Sequence, residues 1–291
     1  MGNATQTTTE LHPITAYEFE QFRSLAYEKF GLDLRDGKET LVSGRLGKKI
    51  RELNFGSFQE YYQHVQEDRT GEALIALIDA LTTNHTSFFR ESAHFDFLRQ
   101  TILPPLRKRD QIAIWSAACS TGEEPYTIAF CLLEEFGEAA LAKTRILATD
   151  ISTRVLATAK TGAYPADRFD GIPANRLRRY LLRGEQRFEG WYRVKPEVRA
   201  AVEFRRLNLM ESLSHLGSFS AIFCRNVMIY FDKPTQQDLV NRLAGCLEPG
   251  GYLLTGHAES LNGVDHPLQY VLPAIYRKPE AGYAHTKRGT R

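Results

Sequence analysis

The sequence lacks the features that mark several protein classes. No apolar run approaches the roughly 18 residues that cross a bilayer. The first ten residues, Met1 to Glu10, are polar and have no signal-peptide core. Gly2 would invite an acyl anchor, but Gln6 stands where that motif wants Ser or Thr. The four cysteines, Cys119, Cys131, Cys224 and Cys246, contain no CxxC pair. That spacing argues against a disulfide framework or zinc site and fits free thiols in a reducing cytosol. Charge of one sign is also missing. Lys and Arg number 37 against 35 Asp and Glu, a net of +2, which leaves no general basic field to hold nucleic acid. No Gly-Lys-Ser/Thr phosphate loop, GxGxxG turn or HExxH pair occurs, and the eight histidines are dispersed. These absences leave a cytoplasmic globular protein that the sequence does not require to be more than a monomer. Its 291 residues, 43% of them hydrophobic, are enough for roughly two packed domains.

Residues 14–84 read as a small helical domain without strands. Tyr17, Phe19, Phe22, Leu25, Ala26 and Phe30 recur at helical spacing behind Thr15, an N-cap, and before Gly31, a stop. A second helix is predicted from about Gly37 to Leu53, with Leu41, Val42, Leu46, Ile50 and Leu53 inward. Ser57 with Glu60 starts a third as a capping box, and Leu74 to Leu81 carry a fourth. Residues 85–109 form a connecting segment, and residues 110–279 change pattern. There Ile112–Trp115, Arg145–Asp150, Val202–Phe204, Phe219–Cys224 and Tyr252–Thr255 read as strands. They alternate with helices such as Pro125–Phe136 and Pro234–Leu247. Such alternation predicts a doubly wound, mostly parallel sheet with ligands at the strands' carboxyl ends. Between about 165 and 200 prolines and glycines break the pattern around a short helix, Asn175–Leu182, and Trp191–Val194. This predicts an inserted antiparallel β-subdomain. Residues 280–291 read as a flexible polar tail.

The segment Trp115–Pro125 follows the first strand and opens a helix, and its small residues let a ligand approach backbone N–H groups. Glu123 and Glu124 there would repel a pyrophosphate and suit a ligand carrying a cation, although both could simply complement the helix dipole. Asp150 ends the second strand, where a carboxylate suits a ribose diol; Ser152 already supplies the helix cap. The pattern indicates an adenosine-type ligand, and the missing phosphate machinery favours S-adenosylmethionine. Arg225 and Asn226 fall at the carboxyl end of a later strand, with Tyr230 slightly beyond. Met228 and Phe231 fit the core better than the site. The Leu81–Glu91 segment spends Phe88, Phe89 and Arg90 together, which suits either a site loop or a packed hinge. His85 and His257 lie nearest the candidate site and read as structural or peripheral.

Five blocks, in this order, resemble the CheR family of chemotaxis receptor methyltransferases. They are Leu81–Arg90, Trp115–Tyr126, Ala148–Asp150, Asn208–Leu209 and Phe223–Phe231, and the resemblance spans about residues 15–278. It implies an N-terminal all-helical receptor-recognition domain followed by a Rossmann-like methyltransferase domain, an α/β protein. It also implies methyl transfer from S-adenosylmethionine to receptor glutamates, yielding S-adenosylhomocysteine and serving adaptation of chemosensory signalling. By motif, Asn84, Thr86, Arg90, Glu124, Asp150, Asn208, Leu209, Arg225 and Asn226 would surround the cofactor. Arg90 and Tyr230 would orient the acceptor carboxylate. No metal is implied.

A glutamate acceptor is ionised at neutral pH, its ordinary pKa being about 4.3, so it needs positioning rather than a general base. Arg90 fits a planar carboxylate. The second helix carries Lys38, Arg45, Lys48, Lys49 and Arg51, of which Lys38, Arg45 and Lys49 share a stripe. These side chains form either a solvated face or a docking surface for acidic receptor helices, and the resemblance favours docking by Arg45, Lys48, Lys49 and Arg51. The resemblance further allows a receptor C-terminal tail peptide to add to the β-subdomain, where Gly184 and Gly190 keep the required spacing. Two rival readings are a methyltransferase for another substrate and a non-catalytic signalling adaptor. Nucleic acid and membrane insertion are not expected.

Overall fold

A computed structural model describes residues 11–138 and 142–280. The chain divides into two compact units that meet in sequence between Asn84 and His85.

The first unit holds four helices: α1 (Ala16–Phe30), α2 (Glu39–Glu52), α3 (Phe58–Glu67) and α4 (Glu72–Leu81). Thr15 opens α1 with a capping box: its hydroxyl accepts from the Glu18 N–H at 3.2 Å, and the Glu18 carboxylate accepts from the Thr15 N–H at 2.9 Å. Gly31 ends the helix at φ 69°, a left-handed conformation that a side chain would resist. Ser57 caps α3, but the Glu60 carboxylate accepts from the Gly56 N–H at 2.7 Å rather than from Ser57. Asp68 accepts from the Thr70 hydroxyl and from the N–H groups of Ala73 and Thr70 ahead of α4. The Thr70 hydroxyl and these N–H groups pull its carboxyl down to about 2.

The core of this unit is Phe19, Phe22, Leu25, Ala26 and Phe30 against Val42, Leu46 and Ile50, with Phe58, Tyr61, Ile75, Leu77 and Ile78. Leu41 and Leu53, expected inward, are exposed, as is Tyr17. The buried stripe of α2 runs Val42, Leu46, Ile50 at i, i+4, i+8. Leu41 sits about 100° away from Val42, and Leu53 falls at the C-cap, past the last full turn.

The second unit begins with α5 (Ala93–Phe97), which passes through a π-helical turn, Leu98–Ile102, into α6 (Leu103–Leu106). Pro104 and Pro105 cannot donate to the preceding turn, which accounts for the local loosening. Then come β1 (Ile112–Ser116), α7 (Glu123–Phe136), β2 (Thr144–Asp150), α8 (Thr153–Thr161) and β3 (Ala163–Pro165). Next are α9 (Ala174–Tyr180), β4 (Leu181–Arg183), β5 (Trp191–Val194), α10 (Pro196–Ala200) and β6 (Val202–Arg206). The unit closes with β7 (Phe219–Cys224), α11 (Lys233–Gly245), β8 (Leu247–Thr255), β9 (Gln269–Leu272) and β10 (Ile275–Arg277).

Seven strands form one sheet in the order β6-β2-β1-β7-β8-β10-β9. The first five are parallel, and β10 runs antiparallel to both β8 and β9. Strand order reverses between β1 and β7, and the carboxyl ends of these two strands mark the crevice position at which doubly wound sheets bind ligands. Side chains alternate across the sheet. Ile112 and Ile114 of β1 pack with Ile128 and Leu132 of α7. Trp115 packs on the other face with Leu239, Val240 and Leu243 of α11. This is the two-sided burial of a doubly wound domain.

A separate antiparallel sheet, ordered β3-β5-β4, forms the insertion. The short helix there stops at Tyr180, two residues earlier than its pattern suggests. Leu181 turns extended (φ −123°, ψ 150°) to pair with Val194. Pro249-Gly250-Gly251 lies inside β8 rather than before it, as an irregularity with Gly250 at φ 79°. All four cysteines are buried and unpaired. Among the described residues, no helix is long and apolar enough to cross a membrane.

Candidate active site

The segment after β1 is fixed from both sides. The Ala117 N–H donates to the Phe223 carbonyl at 2.8 Å, and the Cys119 N–H donates to the Thr149 carbonyl at 2.9 Å. Ser120 adopts φ 49° and Gly122 φ 97°. A Cβ on Gly122 would meet the Ala159 Cβ at 2.8 Å, so this turn approaches α8 more closely than any side chain allows. Asp150 accepts from the Ser120 N–H (2.8 Å) through one oxygen and from the Ser152 N–H (3.0 Å) through the other. Its half-buried carboxylate therefore stands between the first two strand ends.

Glu123 and Glu124 occupy the first turn of α7, and their side chains diverge. Glu124 is buried; it accepts from the Ser116 hydroxyl at 2.6 Å and from Arg225 Nη1 at 2.8 Å. Arg225 is buried as well. Its Nη2 donates to the Arg90 carbonyl and to Glu91 at 3.0 Å, and its guanidinium lies 5.4 Å from the Phe95 ring centre. Glu91 also accepts from Asn226 Nδ2 at 3.3 Å and from the His257 N–H at 3.3 Å. Burial works to raise the Glu91 carboxyl, but Arg225, Asn226 and His257 outweigh it and leave it below its ordinary value. Glu123 accepts from the Thr121 hydroxyl at 2.6 Å and lies 3.7 Å from Arg168, which donates to the Thr86 carbonyl at 3.0 Å. Burial pushes the Glu123 carboxyl up.

The loop before α5 is also closed on itself. Arg90 Nη1 donates to the His85 carbonyl at 2.7 Å, with Phe89 and Glu91 in left-handed conformations (φ 55° and 56°). Phe88 is core, stacked 4.6 Å from Phe169 and edge-on to Tyr164 at 5.2 Å. Asn208 accepts from the Met210 N–H at 3.0 Å, next to Leu207, whose N–H donates to the Asp150 carbonyl at 3.0 Å. Leu209 is buried among the Trp115 side of the core. After β7, Asn226 takes φ 59° and Tyr230, half-buried, ends a one-turn helix, Met228–Tyr230, while Met228 and Phe231 are buried. Glu259 was not legible as a site residue. Its buried carboxylate accepts from the N–H groups of Asn226 (2.7 Å), Gly256 (2.6 Å) and Ile229 (3.1 Å), and burial raises it. Glu91, His94 and Arg168 were likewise missed. Glu91 adjoins a motif, whereas the others meet the site only through folding.

The second unit thus gathers Thr86, Arg90, Glu124, Asp150, Asn208, Leu209, Arg225, Asn226 and Tyr230 on segments at or leading to the strand ends. The remaining candidates lie in the first unit. Asn84 ends that unit, donating to Asp79 at 3.4 Å. Arg45 donates to the Leu81 carbonyl and to the Thr83 hydroxyl at 2.9 Å, pinning α2 to the end of α4. Lys48 and Arg51 are exposed and Lys49 half-exposed.

Glu91, His94 and His257 place possible metal donors within 4.8 Å of one another. The Arg225 guanidinium, 3.0 Å from Glu91, already balances that carboxylate and would oppose a second cation, so the cluster fits a metal poorly. The donors around the crevice suit S-adenosylmethionine better. Asp150 can accept hydroxyl hydrogens, buried carboxylates complement a positive group, and the Gly122 turn admits close backbone approach.

Fold and site together define an S-adenosylmethionine-binding methyltransferase. The model of the CheR methyltransferase SAM-binding domain matches residues 84–274, and that of the CheR all-alpha domain matches residues 17–82. The chain belongs to the CheR methyltransferase family. It is 42% identical over 263 residues to chemotaxis protein methyltransferase 2 of Pseudomonas aeruginosa, covering 90% of this chain and 93% of that one. It is 41% identical over 273 residues to the chemotaxis protein methyltransferase of Borreliella burgdorferi, covering 91% and 95%. The chemotaxis protein methyltransferase of Salmonella typhimurium is 39% identical over 247 residues, 84% of each chain.

His94 gives this region a pH signature. It lies 3.5 Å from Glu91, yet burial first, and Arg225 second, drive its imidazole down from 6.5 to about 4, so it stays neutral in the folded chain. An unfolded histidine binds a proton below about 6.5. The stabilising contribution of the neutral form is therefore full above pH 6.5 and is lost as pH falls to about 4. The gap corresponds to about 3 kcal/mol at most. Urea unfolding of His94→Phe should show a flatter loss of stability across that window than the parent chain; parallel curves would contradict the assignment.

Proposed function

We propose that this chain transfers the methyl group of S-adenosylmethionine to side-chain carboxylates of glutamates on chemoreceptors, in the cytoplasm and as a monomer. The observation that supports this most is the buried Glu124–Arg225–Glu91 cluster beside Asp150 at the reversal point of the sheet. When bound, the cofactor supplies an electrophilic sulfonium methyl. Asp150 would hold its ribose hydroxyls, and Glu124 and Thr86 its methionine portion. Asn208, Leu209, Arg225 and Asn226 would line its remaining length, Leu209 as apolar floor. Asn84 is assigned to the same ligand by motif alone.

The acceptor needs no general base, because a glutamate is ionised near neutral pH. The residues have to orient it in line and limit water. Arg90, tied back to the His85 carbonyl, and Tyr230, on its short turn, are assigned to orient the incoming carboxylate. Too tight an ion pair would blunt the nucleophile, so Arg90 acts by positioning.

For docking, the exposed cations of α2 fit acidic receptor helices. Arg45 is engaged with Leu81 and Thr83, so Lys48, Lys49 and Arg51 are the stronger contributors. In the insertion, β4 lies at the edge of its sheet and can accept an added strand from a receptor tail. Leu182, Phe188 and Trp191 are exposed nearby. Gly184 admits the Phe188 carbonyl where a Cβ would stand 2.0 Å away, which keeps the β4–β5 connection tight.

With methyl-labelled cofactor and receptor-containing membranes, the parent chain should form base-labile methyl ester on the receptor. Arg90→Ala should cut the rate about 100-fold; label on RNA or metabolites instead would refute the reading. Replacing Lys48, Lys49 and Arg51 with Ala should lower methylation at limiting receptor, more so at low salt, with S-adenosylhomocysteine affinity unchanged. Equal rates would remove α2 from docking. Calorimetry with receptor tail peptides should give heat that Gly184→Val abolishes; no heat with any tail would exclude tethering.

A further inference from the structure

Glu259 belongs to none of the motifs that point to the cofactor or the acceptor, yet its carboxylate accepts from three backbone N–H groups. It follows β8, is 5% exposed, and has no cationic side chain paired with it among the described residues. One oxygen accepts from the Asn226 and Gly256 N–H groups at 2.7 and 2.6 Å; the other accepts from Ile229 at 3.1 Å. The Thr255 hydroxyl holds the Glu259 carbonyl at 2.9 Å, fixing the residue's own backbone. Gly256 permits this fit, since a Cβ there would stand 2.5 Å from Asn226 Nδ2 and 2.7 Å from the Glu259 carboxylate.

Two of these donors lie on different sides of the reaction. Asn226 belongs to the cofactor side. Ile229 lies inside the turn that carries Tyr230, on the acceptor side. A single rigid, planar carboxylate thus grips both ends of the segment joining them, and holds Asn226 in its left-handed conformation (φ 59°). In-line transfer depends on the distance between the two reactants, and a displacement of about 1 Å can cost about 100-fold in rate.

We propose that Glu259 is a positioning residue of the transfer reaction, which sets the cofactor side (Asn226) and the acceptor side (Tyr230) at a fixed separation. This rests on the roles given above to Asn226 and Tyr230. An amide at this position offers one acceptor oxygen where the carboxylate offers two, so Glu259→Gln can satisfy the Asn226 side or the Ile229 side but not both.

The test is two double-mutant cycles on the full chain. In the first, S-adenosylhomocysteine affinity is measured by calorimetry for Glu259→Gln, Asn226→Ala and the pair. In the second, kcat and KM of receptor methylation are measured for Glu259→Gln, Tyr230→Phe and the pair. Glu259→Gln should lower kcat about 30-fold to 100-fold with little change in receptor KM, and its effect should be strongly non-additive in at least one cycle. Glu259→Asp, which keeps the charge on a shorter arm and serves if the amide variant does not fold, should lose about 10-fold in kcat. Additive effects in both cycles, or unchanged kcat in a folded Glu259 variant, would overturn the proposal. If Tyr230→Phe alone keeps full kcat, the role given to Tyr230 fails; if receptors are not methylated at all, the assigned function fails. The calorimetric cycle still decides whether Glu259 positions Asn226.

Discussion

The second unit is organised around one buried guanidinium. Arg225, with its side chain 2% exposed, has no water to satisfy it and must find acceptors in the protein. It finds Glu124 at 2.8 Å, Glu91 at 3.0 Å and the Arg90 carbonyl, with the Phe95 ring against its face. The acceptors come from two segments, the start of α7 (Glu124) and the left-handed loop ahead of α5 (Arg90 and Glu91), while Arg225 itself follows β7. Glu124 in turn holds Ser116, the last residue of β1. Removing one partner from such a group leaves a buried charge uncompensated, at a cost of about 3–5 kcal/mol. The pair is thus weak evidence for net stability and strong evidence for geometry: these segments can meet in one arrangement only.

The overall charge of +2 conceals this local inversion. Arg225 is one cation among Glu91 and Glu124, and Glu123 and Glu259 lie buried close by in sequence or across the turn. Burial raises the Glu123 and Glu259 carboxyls, because a site shielded from water disfavours their charged form. The cations of α2 occupy the other unit, so the near-neutral net charge averages carboxylates gathered around Arg225 with a basic helix elsewhere in the chain.

Local chemistry made much of this legible. The Thr15 cap, the Gly31 stop and the Ser152 cap depend on residues within three or four positions of each other, so spacing reveals them. The strand-helix alternation was equally plain, and Asp150 and Glu124 could be singled out because one ends a strand and the other lies where a helix opens. Errors arose at the edge of a helix face or where a neighbouring element decided the outcome. Leu41 falls off the buried stripe of α2 and Leu53 lies at its C-cap, whereas Leu181 left its helix to pair with Val194. Glu91 and Glu259 escaped notice for the same reason. Their partners lie 134 and 33 residues away, at Arg225 and Asn226, and no periodicity encodes such a contact.

Backbone strain gives an independent view of where the fold commits itself. In the second unit the described non-glycine residues at positive φ are Phe89, Glu91, Ser120 and Asn226, with Gln186 in the insertion and Ala274 before β10. The first four lie on the loops that surround the crevice. For Asn226 the conformation is inexpensive, but for Phe89 it is not, and such residues persist only when their surroundings over-determine them. Here the surroundings can be named. The Phe89 N–H is taken by the Thr127 hydroxyl at 3.2 Å, Glu91 is fixed by Arg225, Ser120 by Asp150, and Asn226 by Glu259. Three of these four restraints use a carboxylate, whose two oxygens can hold several donors at once where a hydroxyl or amide would hold fewer. The acids of this unit therefore do more than carry charge. They hold the backbone in the shape that forms the crevice, so the electrostatics that would select the ligand and the rigidity that would orient it come from the same side chains.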